Sequence, residues 1–178
     1  MGKIFREWKQ YYDLGARYIT LSHSRNNDIC DSSTDPAGPE NNGLSPFGEE
    51  VVKEMNRLGM LVDVSHISDN AFYDVLKVSK APVIASHSSC RALCENKRNL
   101  SDSMLLALRD NGGVIQICIL SAYIKSPAPN PEFDAAMKAL REKYGDYNNL
   151  TDEQRKAMRD EYRELEKKLE RLYSQRCC

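Results

Sequence analysis

The apolar positions of the chain alternate between two periodicities along its first two thirds. Residues 17–22 (RYITLS), 61–65 (LVDVS), 82–86 (PVIAS) and 114–120 (VIQICIL) are short runs rich in β-branched and small residues, of strand rather than helix length. Between them the period becomes that of a helix. Ile4, Trp8 and Tyr11 share one helical face before a stop at Gly15. Ser45 and Pro46 supply a cap and a first-turn proline to a helix with Phe47, Val51, Met55 and Leu58 inward and Gly59 at its end. Ser68 caps another, with Phe72, Val75 and Leu76 on one face. A further helix around 104–109 is closed by Asn111, Gly112 and Gly113.

Strand and helix in alternation predict a wholly parallel sheet with helices outside it. The expected fold class is therefore α/β. Four strands of this kind make half of an eight-stranded (β/α)8 TIM barrel, whose usual length is about 250 residues. The final third changes character. After a break at 127–131, Phe133, Met137, Leu140 and Tyr144 recur at helical spacing, and 145–150 reads as a turn. Thr151 and Gln154 then form a capping box. Met158, Tyr162, Leu165, Leu169 and Leu172 follow at gaps of four and three, the spacing of a coiled-coil seam. Two parts are expected: a partial barrel over 1–126 and a charged helical hairpin over 127–178, an insertion or extension of the same domain.

Composition adds mainly exclusions. With 41% apolar and 29% charged residues the chain has ordinary globular usage and enough length for one core. A net charge of -1 gives no general attraction to nucleic acid or to an acidic membrane surface. No stretch has the length and apolarity of a membrane span, and the first residues are not followed by the apolar core of a signal peptide. A cytoplasmic location is the default expectation. Cysteines at 30, 90, 94, 118, 177 and 178 form no regular framework, so reduced thiols are expected. Cys90 and Cys94 lie near His87, but no second pair matches their spacing as a zinc site would require.

The chemistry concentrates in the three histidines of the chain. His23, His66 and His87 each stand at the end of a predicted strand. Strands joined by a crossover helix run parallel, so His66 and His87 emerge on the same rim, where α/β barrels place their chemistry. Neutral imidazoles there suit a metal ion, and hydrogen-bonded structural histidines fit the same pattern. Asp63, an acid within an apolar run, could support a ligand, although alternation turns it to a different side from His66. The polar stretch 24–44 reads as a long loop on the same rim.

The segments GARYITLSHS, GLSPFGEEVVKEMNRLGMLVDVSHIS, APVIASHSS and KRN, in this order over about 13–125, resemble the membrane dipeptidase (renal dipeptidase, peptidase M19) family of zinc dipeptidases. The resemblance implies a (β/α)8 barrel of the metal-dependent hydrolase type that hydrolyses dipeptides at a two-zinc centre. By it His66 and His87 are ligands of one zinc, His23 lies in the substrate pocket near the scissile carbonyl, and Arg98 of KRN holds the substrate's carboxylate. A guanidinium suits that task, since it pairs a carboxylate through two parallel hydrogen bonds. The family's early His-x-Asp pair, its metal-bridging glutamate and its late aspartate find no match here. The resemblance thus casts the chain as the central part of a longer enzyme, expected to be inactive alone. The alternative is a non-catalytic truncated barrel that binds or assembles through its hairpin. An open sheet has two free edges, so self-association, or missing N- and C-terminal parts of the barrel, is expected.

Overall fold

The computed structural model of the chain describes residues 2–125, 130–145 and 147–174. Two compact units are present, Met1–Pro127 and Ala128–Cys178. The first opens with helix α1 (Gly2–Asp13), whose Trp8 and Tyr12 pack on the core while Tyr11 is exposed. The expectation for Tyr11 was one position out of phase. Tyr12 is held inward because the Arg17 guanidinium lies over its ring and bonds its carbonyl at 2.7 Å. The side chain of Ile4 lies outside the described residues.

Strands β1 (Tyr18–Thr20), β2 (Leu61–Asp63), β3 (Ile84–Ser88) and β4 (Val114–Ile117) form one parallel sheet in the order β1-β2-β3-β4. Helices α2 (Pro46–Leu58), α3 (Asp69–Val78) and α4 (Asp102–Asp110) make the crossovers, and a short α5 (Ser121–Ile124) follows the sheet. Each crossover helix begins on a serine that caps it. The Oγ atoms of Ser45, Ser68 and Ser101 accept from the N–H groups of Gly48, Ala71 and Met104, satisfying donors that the first helical turn leaves open. Gly59, at φ 76°, closes α2 in the left-handed region that glycine adopts without penalty.

The strands are shorter than their apolar runs. β1 and β2 stop at Thr20 and Asp63, so His23 and His66 each stand three residues beyond a strand rather than at its last position. β3 is displaced the other way. Pro82 has no N–H to give a sheet ladder, so pairing starts at Ile84 and His87 lies within the strand.

Alternation along the paired strands sorts their side chains onto two faces. Ile19, Val62, Ala85 and Ile115 face the helices and join Val51, Met55, Phe72, Val75 and Leu108 in the core. Thr20, Asp63, Ile84 and Ser86 share the opposite face, by the registers Thr20↔Asp63 and Asp63↔Ile84. On that face the outer strands present Tyr18, 52% exposed, and Val114, 55% exposed.

In the second unit, α6 (Pro131–Tyr144) is capped by Asn130, whose Oδ1 accepts from Phe133 N–H at 3.0 Å. The longer α7 (Asp152–Ser174) starts with a reciprocal box. Thr151 N–H donates to Gln154 Oε1 at 2.9 Å, and Gln154 N–H to Thr151 Oγ1 at 3.3 Å. Glu161 ties the two helices by accepting from Lys143 Nζ at 2.6 Å and from the Tyr144 hydroxyl at 2.8 Å. Leu140 is buried, and Met158, Tyr162 and Leu165 are half-buried along the seam. The side chains of Leu169 and Leu172, and most of the break at 127–131, lie outside the described residues. No helix among the described residues is long and apolar enough to cross a membrane.

Candidate active site

The loop after β1 is rich in polar residues but firmly built. Asp31, almost fully buried, accepts from the backbone N–H groups of Glu40, Asn41 and Gly43 at 2.9, 2.8 and 2.8 Å, closing 31–43 into a ring of chain around one carboxylate. Burial alone would push that carboxyl up. The hydrogen bonds from Asn41, Glu40 and Gly43 outweigh it and hold the group below its usual range, so the carboxylate keeps the loop ordered at neutral pH. The same loop reaches the histidines. Ser32 Oγ donates to the carbonyl of His23 at 2.6 Å, and Ser33 N–H to the carbonyl of His66 at 2.8 Å.

His66 is held in an unusual backbone conformation, with φ 75°. The left-handed region costs a residue with a side chain about 1–3 kcal/mol, which the surrounding hydrogen bonds must offset. Its flanks are fixed: Ser65 N–H donates to Asp63 Oδ1 at 3.0 Å, and Ser68 N–H to the Asp31 carbonyl at 2.8 Å. The turn aims the His66 ring, 8% exposed, at its two counterparts. His66 Nε2 stands 2.8 Å from His87 Nε2, and the His23 ring stacks on His66 with 4.1 Å between centroids and 29° between planes.

His87 is held from both sides. Its N–H donates to Ser65 Oγ at 3.0 Å, and its Nδ1 lies 2.7 Å from Ser86 Oγ. Arg98 completes the group: 6% exposed, it donates from Nη2 to the His87 carbonyl at 3.2 Å and lies over the Tyr123 ring at 5.5 Å, while its Nε is buried without a partner. Burial and the neighbouring Arg98 charge, with lesser contributions from His23 and His87, push the His66 imidazole down to about 4. Burial first, then Arg98, also lowers His87. Both rings are therefore neutral near pH 7, the form in which imidazole binds metals.

His23, His66, His87 and Arg98 thus lie together, with His23 the exposed member of the group. Cys90 and Cys94 do not join them, and the Cys94 thiol donates to the Ala122 carbonyl at 3.4 Å. No disulfide forms among the described cysteines. A cavity of about 400 Å³ lined by Asp31, Ser33, Asp69, Arg91 and Lys97 lies beside the cluster, and none of the four residues lines it.

Residues 2–164 match the sequence profile of Membrane dipeptidase (Peptidase family M19). The chain belongs to this family. An uncharacterized dipeptidase of Schizosaccharomyces pombe is 47% identical over 120 residues, which cover 67% of this chain and 29% of that protein. Dipeptidase tcpJ of Claviceps purpurea is 50% identical over 110 residues, 62% of this chain and 26% of that protein. Among solved structures, the probable dipeptidase PvdM of Pseudomonas aeruginosa superimposes with a TM-score of 0.70 at 38% identity, over 79% of this chain and 36% of that one. The chain spans under a third of the length of the two curated relatives, and its sheet is a portion of the (β/α)8 barrel of M19 dipeptidases.

Peptidase family M19 is a family of metallopeptidases, so a metal belongs to its chemistry. The histidines fit part of a ligand set. Two nitrogens each about 2.0–2.1 Å from one tetrahedral zinc stand about 3.3 Å apart, and the two Nε2 atoms already converge at 2.8 Å. Among the described residues no group of three or more His, Cys, Asp or Glu side chains is arranged to hold a metal. The described residues thus bring together two imidazole nitrogens that one metal could share.

Sequence reasoning underrated Asp63. It is fully buried and accepts four hydrogen bonds: from Thr20 Oγ1 and Ser86 Oγ, each at 2.6 Å, and from the N–H groups of Ser65 and Ser86, each at 3.0 Å. It supports His87 through the Ser86 hydroxyl and fixes the backbone just before His66 through Ser65 N–H. The signal was the charge itself, since an acid inside an apolar strand run must find several donors to be buried.

Proposed function

We propose that the chain forms the central part of a zinc-dependent dipeptidase, over 1–126, with the hairpin of 127–178 as an insertion or extension of the same domain. The observation that carries this reading is the convergence of His66 and His87 at 2.8 Å beside a stacked His23 and a buried Arg98. His66 and His87 would hold one of two zincs. A zinc held there would supply Lewis-acid polarisation of a carbonyl and activation of water near neutral pH. Everything else falls to side chains. His23, exposed and stacked on His66, faces the space where a scissile carbonyl would lie and stabilises the developing oxyanion by hydrogen bonding. Arg98, held by the His87 carbonyl and the Tyr123 ring, would supply a fixed cation for the dipeptide's carboxylate.

This assignment is tested first at the anchor. In a polypeptide that completes the barrel, Arg98→Ala is expected to raise KM for dipeptides about 10- to 100-fold, the effect of losing a charged hydrogen-bond pair of about 1.5–3 kcal/mol. Arg98→Lys restores the charge but not the fork, so rescue is partial. Unchanged KM and kcat in Arg98→Ala would remove the role from this residue.

The sheet also makes self-association part of the proposal. β1 and β4 are its open edges, and Tyr18, Val114 and Ile117 on them are more than half exposed. Apolar surface left in water is unfavourable by about 25 cal/mol per Å², and unpaired strand edges invite a further strand. The purified chain is expected to sediment as a dimer or larger species that shifts with concentration. A sharp monomer at every concentration would overturn this.

A further inference from the structure

The hydrogen bonds around Asp63 determine where the protons of the histidine pair reside. An ionised carboxylate only accepts, so the Ser86 hydroxyl, 2.6 Å from Asp63 Oδ2, donates to it. That hydroxyl has one proton to give. At 2.7 Å from His87 Nδ1 the same oxygen must therefore accept, and Nδ1 must carry the hydrogen. In a neutral ring Nε2 is then a bare lone pair.

The argument continues across the pair. His66 Nε2, 2.8 Å away, faces that lone pair and so is the donor, which leaves His66 Nδ1 without hydrogen. That atom is the one His66 nitrogen that is buried without a partner. A buried acceptor without a partner is better tolerated than an orphaned N–H, so the assignment accounts for both rings at once.

We infer that Asp63 is a positioning residue that acts through the Ser86 hydroxyl, setting His87 in its Nδ1–H tautomer with the Nε2 lone pair presented to a metal. This rests on the reading of His66 and His87 as ligands of one zinc. The two ligands are consequently unequal. His87 is preset for coordination, whereas His66 donates its Nε2 proton to its neighbour and must lose or relocate it before it binds. Thr20 and the N–H groups of Ser65 and Ser86 keep the carboxylate in place, so the relay is anchored on three strands rather than on one side chain.

The test uses the full chain and zinc alone, with two readouts. Long-range ¹⁵N spectra of the metal-free chain are expected to show His87 as the Nδ1–H tautomer and His66 as the Nε2–H tautomer. Ser86→Ala should abolish the His87 preference and weaken zinc binding about 10- to 100-fold in a chelator competition, as loss of an outer-shell partner does. Ser86→Thr keeps a hydroxyl and should restore both. A His87 proton found on Nε2 in the unaltered chain would overturn the relay. So would zinc affinity unchanged in Ser86→Ala but lowered in His87→Ala, which would leave the ligand assignment standing. Affinity unchanged in both His66→Ala and His87→Ala would instead overturn the ligand assignment and the inference with it.

Discussion

Purified as it stands, with zinc supplied, the chain is expected to hydrolyse dipeptides far below the ordinary enzyme range of about 1–1000 per second. Joined to segments that complete an M19 barrel it is expected to become active, and then to lose at least about 1000-fold on His66→Ala or on His87→Ala. The magnitude follows from what a catalytic metal supplies. Several kcal/mol of transition-state stabilisation depend on the ion being held, and each 1.36 kcal/mol is tenfold in rate. The two variants should be equally severe, because the two Nε2 atoms converge on one point and neither ring can replace the other. His23→Ala should be milder, since His23 is exposed and stacks against His66 without sharing that point. Ordinary turnover by the purified chain, or full activity of a completed barrel lacking either imidazole, would contradict the proposal.

The parts of this architecture written in local sequence could be read in advance. Helix starts depend on a serine and the N–H three residues on, so Ser45, Ser68 and the Thr151–Gln154 box were visible as caps. The parallel order follows from strands alternating with helices, and with it the gathering of three histidines on one rim. What escaped the sequence depends on partners distant along the chain. The strand limits are set by pairing, which brought His87 inside β3 and left His66 beyond β2. The left-handed turn at His66 arises from Ser33 and Asp31, more than thirty residues away. The inward choice of Tyr12 over Tyr11 follows from a contact with Arg17 that helical periodicity does not encode. Asp63 is the clearest case. Its alternation is legible, but its partners Thr20 and Ser86 become neighbours only through the registers of β1 and β3 with β2.

Removing that carboxylate is expected to have the largest effect on stability of any single change in the first unit. Asp63 is 0% exposed and joins three strands through four hydrogen bonds. Asp63→Ala leaves two hydroxyls and two backbone N–H groups facing an apolar gap. Each stranded group costs about 1–3 kcal/mol unless it finds water or another acceptor, so a total of about 3–5 kcal/mol is expected. That is a large fraction of the roughly 5–15 kcal/mol of a typical domain. The effect should depend on pH, with a definite sign. Burial pushes this carboxyl up, but hydrogen bonds from the Ser86 hydroxyl, the Thr20 hydroxyl and the two N–H groups outweigh it, so the folded chain holds it below its ordinary 3.8. A depressed carboxyl stabilises the fold fully above its unfolded value, and that share is lost as the pH falls through the folded one. Urea unfolding of the chain and of Asp63→Ala should therefore differ most near neutral pH, and the difference should narrow as the pH falls below 3.8 and on through the lowered folded value. A difference that stayed constant from pH 7 down to the acid limit would show that the ionised carboxylate contributes no more than its protonated form, and would remove Asp63 as the charged anchor of the sheet.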